Sequence, residues 1–214
     1  IRDSSVTGVQ TCALPIFTGA YRVLDALATL SFDYPKRAAF FRAELEQFVL
    51  LGKETGLDLT QLKGSYAGAM GLPQFLPSSF RKFAVDFDGD GRRDVWKSVP
   101  DVIGSVANYY KLHEWQPGGM VTVQARVKAT PPAELTDDIT PNTPVAQFRK
   151  LGIEPVTSVP DDALAAVLPL ETESGMQYWF GFKNFYVITR YNRSTNYAMA
   201  VYEIAQGIRA RVKG

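Results

Sequence analysis

The chain has 214 residues, of which 46% are hydrophobic and 21% charged, with a net charge of +1 and a single cysteine. This length allows one large domain or two small ones, and the composition is that of a soluble globular protein able to bury a core. The near-neutral charge excludes a nucleic-acid footprint, the absence of a long apolar run excludes a bilayer-spanning helix, and one cysteine excludes an intrachain disulfide.

In chain order, the opening stretch VTGVQTCALPIF (6–17) has no helical or strand period and holds Cys12. Its apolar piece ALPIF is too short for a signal peptide and lacks a basic start, so no targeting signal is expected in this chain. From residue 17 the pattern becomes legible. Leu24, Leu27, Ala28 and Leu30 predict a short apolar helical face. Pro35 is placed to open a second helix. That helix is predicted to carry Phe41, Leu45, Phe48 and Val49 on one face and to end near Gly52. The segment GSYAGAMGLPQFLPSSF (64–80) is rich in Gly, Ser and Pro but also holds Met70, Leu72, Phe75 and Leu76, which predicts a folded loop rather than a solvated linker.

The acidic stretch DFDGDGRRDVWK (86–97) carries the clearest motif. Asp86, Asp88 and Asp90 occupy positions 1, 3 and 5 of a loop with Gly91 at position 6, an EF-hand-like arrangement that converges carboxylates on one hard cation. Position 7 contributes a backbone carbonyl, here that of Arg92, and Asp94 at position 9 can add directly or through water. Lys97 stands where a bidentate Glu is expected, and Asp101 could close an extended loop. The alternative is a solvated acidic turn, but four acids at this spacing favour calcium, bound weakly, toward roughly 10⁻⁴–10⁻³ M, as a structural staple. A calcium sensor is disfavoured because no second loop or Met-rich groove follows.

Asp101 is read as starting a helix with Val102, Ile103, Val106, Tyr109 and Tyr110 on one face. Residues 120–127 switch to a period of two, with Val121, Val123, Ala125 and Val127 on one side of a strand. A short helix is expected from Thr143, as N-cap before Pro144, to Gly152. Residues 116–170 therefore read as a small α+β insertion. The aromatic segment 176–192 reads as β-prone, and a last helix carries Ala198, Val201, Tyr202, Ala205 and Ile208 on one face.

Candidate ligand groups are sparse. Ser65 and Gln74 sit among Gly64, Gly68 and Gly71, which would let backbone approach a ligand, although on residue types alone a tight helix–turn packing motif is the favoured reading. Tyr191, Asn192 and Tyr197 are rings and amides suited to a sugar, with a helix entry capped by Ser194 or Thr195 as the alternative. Tyr109 lies on an apolar face and by default belongs to the core. His113, the only histidine, has no metal-ligand partner in sequence.

Four segments in order, YRVLDALATLSFDYPKRAAFF, LKGSYAGAMGLPQFLPSSF, AVDFDGDGRRDVWKSVPDVIGSVANYY and FYVITRYNRSTNYAMAV, resemble the lytic murein transglycosylase B family over residues 17–214. The resemblance implies an α+β fold, a lysozyme-like α-rich core with an EF-hand-like calcium loop and a small inserted β-containing domain. The core would span 17–115 and 171–214, and the insertion 116–170. It implies non-hydrolytic cleavage of the β-1,4 bond between N-acetylmuramic acid and N-acetylglucosamine in peptidoglycan, leaving a 1,6-anhydro end. Ser65, Gln74, Tyr109, Tyr191, Asn192 and Tyr197 match the family's substrate-cleft positions. Asp86, Asp88, Asp90, the Arg92 carbonyl and Asp101 match its calcium loop. The implied partners are peptidoglycan glycan strands, acted on by a monomer without organic cofactor or nucleic acid, in the periplasm or at the outer membrane. Membrane attachment is not expected to be encoded in this chain.

The chemistry needs one carboxylic acid of raised pKa. In the family it belongs to a Glu-Thr-x-Phe-Gly-like motif just before the Thr-Gly-x-Tyr-Arg found here at Thr18 to Arg22, and the count back from Gly19 reaches Thr11. VTGVQTCALPI looks like an in-frame translation of a sequencing-library adapter. Residues 1–16 are therefore expected to be artefactual, replacing the catalytic glutamate and leaving this chain inactive. Asp25, Glu44, Glu46, Glu171 and Glu173 are read as surface or structural charges. A non-catalytic glycan-binding module is the alternative function.

Overall fold

The computed structural model describes residues 18–212. The adapter-like segment, with Thr11 and Cys12, lies outside the described residues. The chain divides after Leu112 into two compact units, which are taken in turn.

The first unit is mainly helical. A two-residue strand β1 (Tyr21–Arg22) leads into α1 (Val23–Phe32) and a one-turn 3₁₀ helix opened by Pro35. Then comes α2 (Ala38–Thr55). α1 buries Val23, Leu27 and Ser31, one residue per turn, against α2. The Ser31 hydroxyl donates to the Leu27 carbonyl at 2.6 Å, so this polar member of the stripe needs no outside partner. α2 buries Phe41, Glu44, Phe48 and Leu51 and stops at Gly56, whose left-handed backbone (φ 68°) closes the helix through a bond to the Gly52 carbonyl. The expected stop near Gly52 falls one turn short. Gly52 instead sits against the Leu59 side chain, where a Cβ would come within 2.6 Å of it.

Glu44 was expected to be a surface or structural charge, and it is structural. It is 5% exposed and accepts from both the backbone N–H (3.0 Å) and the hydroxyl (2.7 Å) of Ser78. Ser78 lies in the first turn of the short helix α3 (Pro77–Phe83), so Glu44 serves an otherwise open helix start. The last helix of this unit is α4 (Val99–Leu112). Its buried positions are Asp101, Gly104, Ser105 and Tyr109. Ile103, expected on the buried face, is 63% exposed. The face was misread because small and charged residues are the buried ones: Ser105 receives the Val85 N–H, and Gly104 leaves room for Phe87.

The second unit is built on a five-stranded antiparallel sheet. Its strands are β3 (Thr122–Val127), β4 (Thr143–Pro144), β5 (Ile153–Pro155), β6 (Leu164–Thr172) and β7 (Gly175–Gly181). They run in the order β4-β6-β7-β3-β5. Val145, Phe148, Ala165, Val167 and Phe180 form the centre of its core. The period-two reading of 120–127 holds, with one exception that burial explains. Thr122 is 7% exposed and pays no polar penalty because its hydroxyl donates to the Phe180 carbonyl at 2.8 Å.

Two local expectations are corrected. Thr143 is not an N-cap; it lies in β4, and the helix α5 (Val145–Lys150) starts after Pro144. The first N–H groups of α5 are satisfied by the Ala163 and Asp161 carbonyls instead. The β-prone reading of 176–192 holds only through Gly181. Residues Lys183–Tyr191 form helix α6, which buries Asn184, Phe185, Val187, Ile188 and Thr189. Burial of so many neighbours overrides the strand propensity of β-branched and aromatic residues. The final helix α7 (Thr195–Val212) is capped by Ser194, whose hydroxyl accepts from the Tyr197 N–H at 3.2 Å. It buries Tyr197, Ala198 and Met199, while Ile204 and Ile208 are exposed. The β6–β7 hairpin runs past residue 170, the position at which the sequence suggested that the insertion ends.

Candidate functional site

The glycine-rich segment after β2 (Lys63–Gly64) is a rigid, internally bonded loop. β1 and β2 pair antiparallel, Tyr21 opposite Gly64. Gly19 lies directly against this pairing: its φ is +101°, and a Cβ there would stand 1.9 Å from the Gly64 carbonyl carbon. No other residue fits. The Ser65 hydroxyl oxygen accepts from the N–H groups of Ala67 (3.2 Å) and Ala69 (3.0 Å), so neither of these bonds uses its own proton. Met70 and Phe75 exchange two backbone bonds of 2.8 and 3.0 Å across a tight turn. At that turn Gln74 adopts φ 51°, a left-handed value uncommon for a residue other than glycine. Its amide N–H₂ donates to the carbonyls of Gly71 (2.8 Å) and Thr18 (3.2 Å). Both donors are thus used internally, and the amide oxygen remains as an acceptor.

Behind this loop, Tyr109 is 7% exposed and packs its ring against Phe83 and Phe75, at centroid distances of 4.6 and 6.0 Å. Ser65, Gln74 and Tyr109 belong to the first unit. Tyr191, Asn192 and Tyr197 belong to the second, where α6 ends and α7 begins. There the Tyr191 and Tyr197 rings lie parallel within 6°, with centroids 6.4 Å apart, and the Asn192 carbonyl accepts from Ser194.

The acidic loop is organised around Asp101. This side chain is fully buried at the start of α4. Its Oδ1 accepts from the Phe87 N–H at 2.8 Å and the Asp88 N–H at 3.4 Å, and its Oδ2 from the Asp94 N–H at 2.8 Å. Burial pushes this carboxyl up, but the donors from Phe87, Asp94 and Asp88 outweigh it, so the group titrates below the usual carboxylate range. Asp86 gathers the N–H groups of Gly89, Asp90 and Gly91. The tight turn is made by Gly89 (φ 79°) and Gly91 (φ 86°).

One oxygen each of Asp86, Asp88 and Asp101 lie within 4.8 Å of one another, the one such grouping among the described residues. Three hard carboxylate oxygens at this separation fit a calcium-sized cation. Asp90 lies outside this grouping, and its Oδ1 accepts from the Arg92 N–H at 2.8 Å. Asp94 accepts from the Trp96 and Lys97 N–H groups. Ser98 was missed by the sequence reading. Its hydroxyl donates to Asp88 at 2.6 Å and accepts from the Asp101 N–H at 3.3 Å, linking the loop to the helix start. The signal was present, since Ser98 and Asp101 form a Ser-x-x-Asp helix-start pattern.

The chain is similar to known proteins along most of its length. The family model described as transglycosylase SLT domain matches residues 16–206. Membrane-bound lytic murein transglycosylase B of Escherichia coli (strain K12) is 47% identical over 190 residues, which cover 89% of this chain and 52% of that protein. The chain thus spans about half the length of this relative. The structure of the Escherichia coli lytic transglycosylase Slt35 in complex with calcium is similar with a TM-score of 0.85 and 43% identity, over 99% of this chain and 68% of that one. SltB3 from Pseudomonas aeruginosa, in complex with NAG-anhNAM-pentapeptide, is similar with a TM-score of 0.76 and 30% identity, over 92% of this chain and 54% of that one.

Proposed function

The chain belongs to the transglycosylase SLT domain family and shares its lysozyme-like α+β fold, and from that premise we propose that it derives from a lytic transglycosylase of peptidoglycan. The reaction breaks the β-1,4 bond between N-acetylmuramic acid and N-acetylglucosamine. A carboxylic acid protonates the leaving glycosidic oxygen; as a carboxylate it then takes the proton of the sugar's C6 hydroxyl, which attacks the anomeric carbon and closes a 1,6-anhydro ring. The observation that carries this reading is the 47% identity to lytic murein transglycosylase B along 89% of the chain. The bonded loop at Ser65 and Gln74 supports it: the Ser65 oxygen and the Gln74 amide nitrogen are fixed by backbone bonds, which positions a hydroxyl and an amide oxygen on one frame.

Ser65, Gln74, Tyr109, Tyr191, Asn192 and Tyr197 are proposed to contact the glycan, and Asp86, Asp88, Asp90, the Arg92 carbonyl and Asp101 to hold calcium. Asp86, Asp88 and Asp101 are the stronger part of that set, because their oxygens already converge. The partner is the peptidoglycan glycan strand, met in the periplasm or at the outer membrane. Among the described residues, no helix is long and apolar enough to cross a membrane. The sheet-bearing segment from 116 is proposed as the inserted domain, with the hairpin extending it to Gly181.

This polypeptide, with Thr11 at the position of the family's acid, is proposed to bind glycan without cleaving it. Among the described residues the buried carboxylates are Glu44 and Asp101, and both accept hydrogen bonds that hold the fold, Glu44 from Ser78 and Asp101 from Phe87 and Asp94. Loss of a general acid lowers rates by about 10²–10⁴-fold. Incubation of the chain with purified peptidoglycan sacculi tests the reading. Co-sedimentation with the sacculi and no 1,6-anhydro muropeptides by mass spectrometry are expected. Release of 1,6-anhydro products would refute the inactivity, and failure to co-sediment would refute glycan binding.

A further inference from the structure

The final helix outruns the body it packs on. α7 buries Tyr197, Ala198 and Met199 near its start, and every residue from Glu203 to Val212 is exposed. Ile204 is 41% exposed, Ile208 57% and Val212 80%. A helix of fewer than about 12–15 residues is marginal in water when nothing packs on it. Gly207, in the middle of this stretch, lowers its propensity further. Three large aliphatic side chains on about three uncovered turns form a surface that a partner would stabilise.

The distribution of residues around the helix says what kind of partner. At about 100° per residue, Val201, Ile204, Ala205, Ile208 and Val212 fall in one apolar stripe about 100° wide. Arg209 and Arg211 stand on its two borders, roughly 80° to either side of its middle. Glu203, Gln206 and Ala210 lie on the opposite face. Both arginines are exposed, and neither enters an ion pair among the described residues. The stripe is thus bordered by positive charge on both sides, and the one acid of the stretch points away from it.

We propose that this face of α7 lies on an anionic phospholipid surface. Ile204, Ile208 and Val212 enter the boundary between headgroups and acyl chains, and the two arginines lay their stems along the apolar edge and reach the phosphates. A second copy of the chain fits less well. It brings the same two arginines to the borders and keeps its own Glu203 on the outer face, so no opposite charge meets them. The helix lies in the interface and does not cross the membrane, for which no described helix is long and apolar enough. With two charges and three aliphatic groups the association is reversible and salt-sensitive. The proposal is independent of the glycan reading, and it departs from the expectation that membrane attachment is not encoded in this chain.

The test is co-sedimentation of the full chain with two kinds of vesicle, phosphatidylcholine alone and phosphatidylcholine mixed equally with phosphatidylglycerol, at about 0.1 M salt. Each arginine at an anionic surface is worth about fivefold in affinity, so the mixed vesicles are expected to bind about 25-fold more tightly. Raising the salt to about 0.5 M should remove most of that difference. Arg209→Gln combined with Arg211→Gln should erase the preference for the mixed vesicles. Ile204→Ser combined with Ile208→Ser should weaken binding to them by about tenfold or more. All four positions are exposed, and an unchanged thermal unfolding curve verifies that each variant keeps its fold. Should a variant fail to fold, the lipid and salt dependence of the unaltered chain decides the proposal by itself. No binding to the mixed vesicles, equal binding to both kinds, or undiminished binding by either folded variant would overturn it. A dimer seen by sedimentation velocity without vesicles, abolished in the double isoleucine variant and accompanied by no vesicle binding, would assign the stripe to a second copy and would also overturn it.

Discussion

Replacing Asp101 should destabilise the first unit even where no metal is present. Asp101→Ala removes the acceptor for the Phe87 and Asp94 N–H groups, both bonded at 2.8 Å, and for the longer Asp88 contact. A buried donor left unsatisfied costs about 1–3 kcal/mol. Two such donors, with little from the third, give about 4 kcal/mol. Asp101→Asn keeps one oxygen and turns an N–H₂ toward a backbone N–H, so about half that loss is expected. The assay is urea unfolding in a chelator, read from Trp96 fluorescence after Trp115 and Trp179 are replaced by Phe. The order of stability should be Asp, Asn, Ala. A pH series adds a signed check. The folded-state pKa of Asp101 is depressed, so its contribution is fully present above the unfolded value of about 3.9 and disappears as pH falls through the lower folded value. The gap between Asp101 and Asp101→Asn should therefore be constant at pH 5–7 and narrow below about pH 4. An Ala variant within about 1 kcal/mol of the parent in chelator, or a gap that widens on acidification, would refute the reasoning.

Calcium at 10 mM should stabilise the parent by about 1.4–2.7 kcal/mol if the dissociation constant lies near 10⁻⁴–10⁻³ M. Asp88→Asn should abolish most of this gain, as measured by thermal unfolding with and without chelator; an equal gain in the variant would remove Asp88 from the site. Glu44→Ala should cost about 2–3 kcal/mol, since it strands the Ser78 N–H at the start of α3, and amide exchange at Ser78 should accelerate; unchanged exchange would deny the cap. Asn184→Ala strips the turn at 116–119 of its three bonds and should cost about 3 kcal/mol by chemical denaturation, while a loss under 1 kcal/mol would mean that the turn holds itself.

The sequence made legible what depends on local pattern, and it failed where a distant residue decides. The α1–α2 hairpin, β3 and the acidic loop follow from apolar period and Gly placement within a few residues. The Ser194 cap was readable for the same reason. The stretch from Lys183 to Tyr191 was not, because its aromatic and β-branched residues favour a strand in isolation and become helical only with the burial of five neighbours. Glu44 and Ser78 are 34 residues apart, and nothing local announces that a carboxylate on one helix closes the start of another. The buried face of α4 was misassigned because hydrophobicity ranks Ile103 above Asp101, whereas the structure buries Asp101 behind its backbone donors.

The calcium loop shows the same contrast inside one site. It is encoded in nine consecutive residues plus Asp101, so its outline can be inferred from spacing. What spacing does not show is the support behind it: Asp101 is held by the Phe87 and Asp94 N–H groups, and Ser98 ties Asp88 to the start of α4.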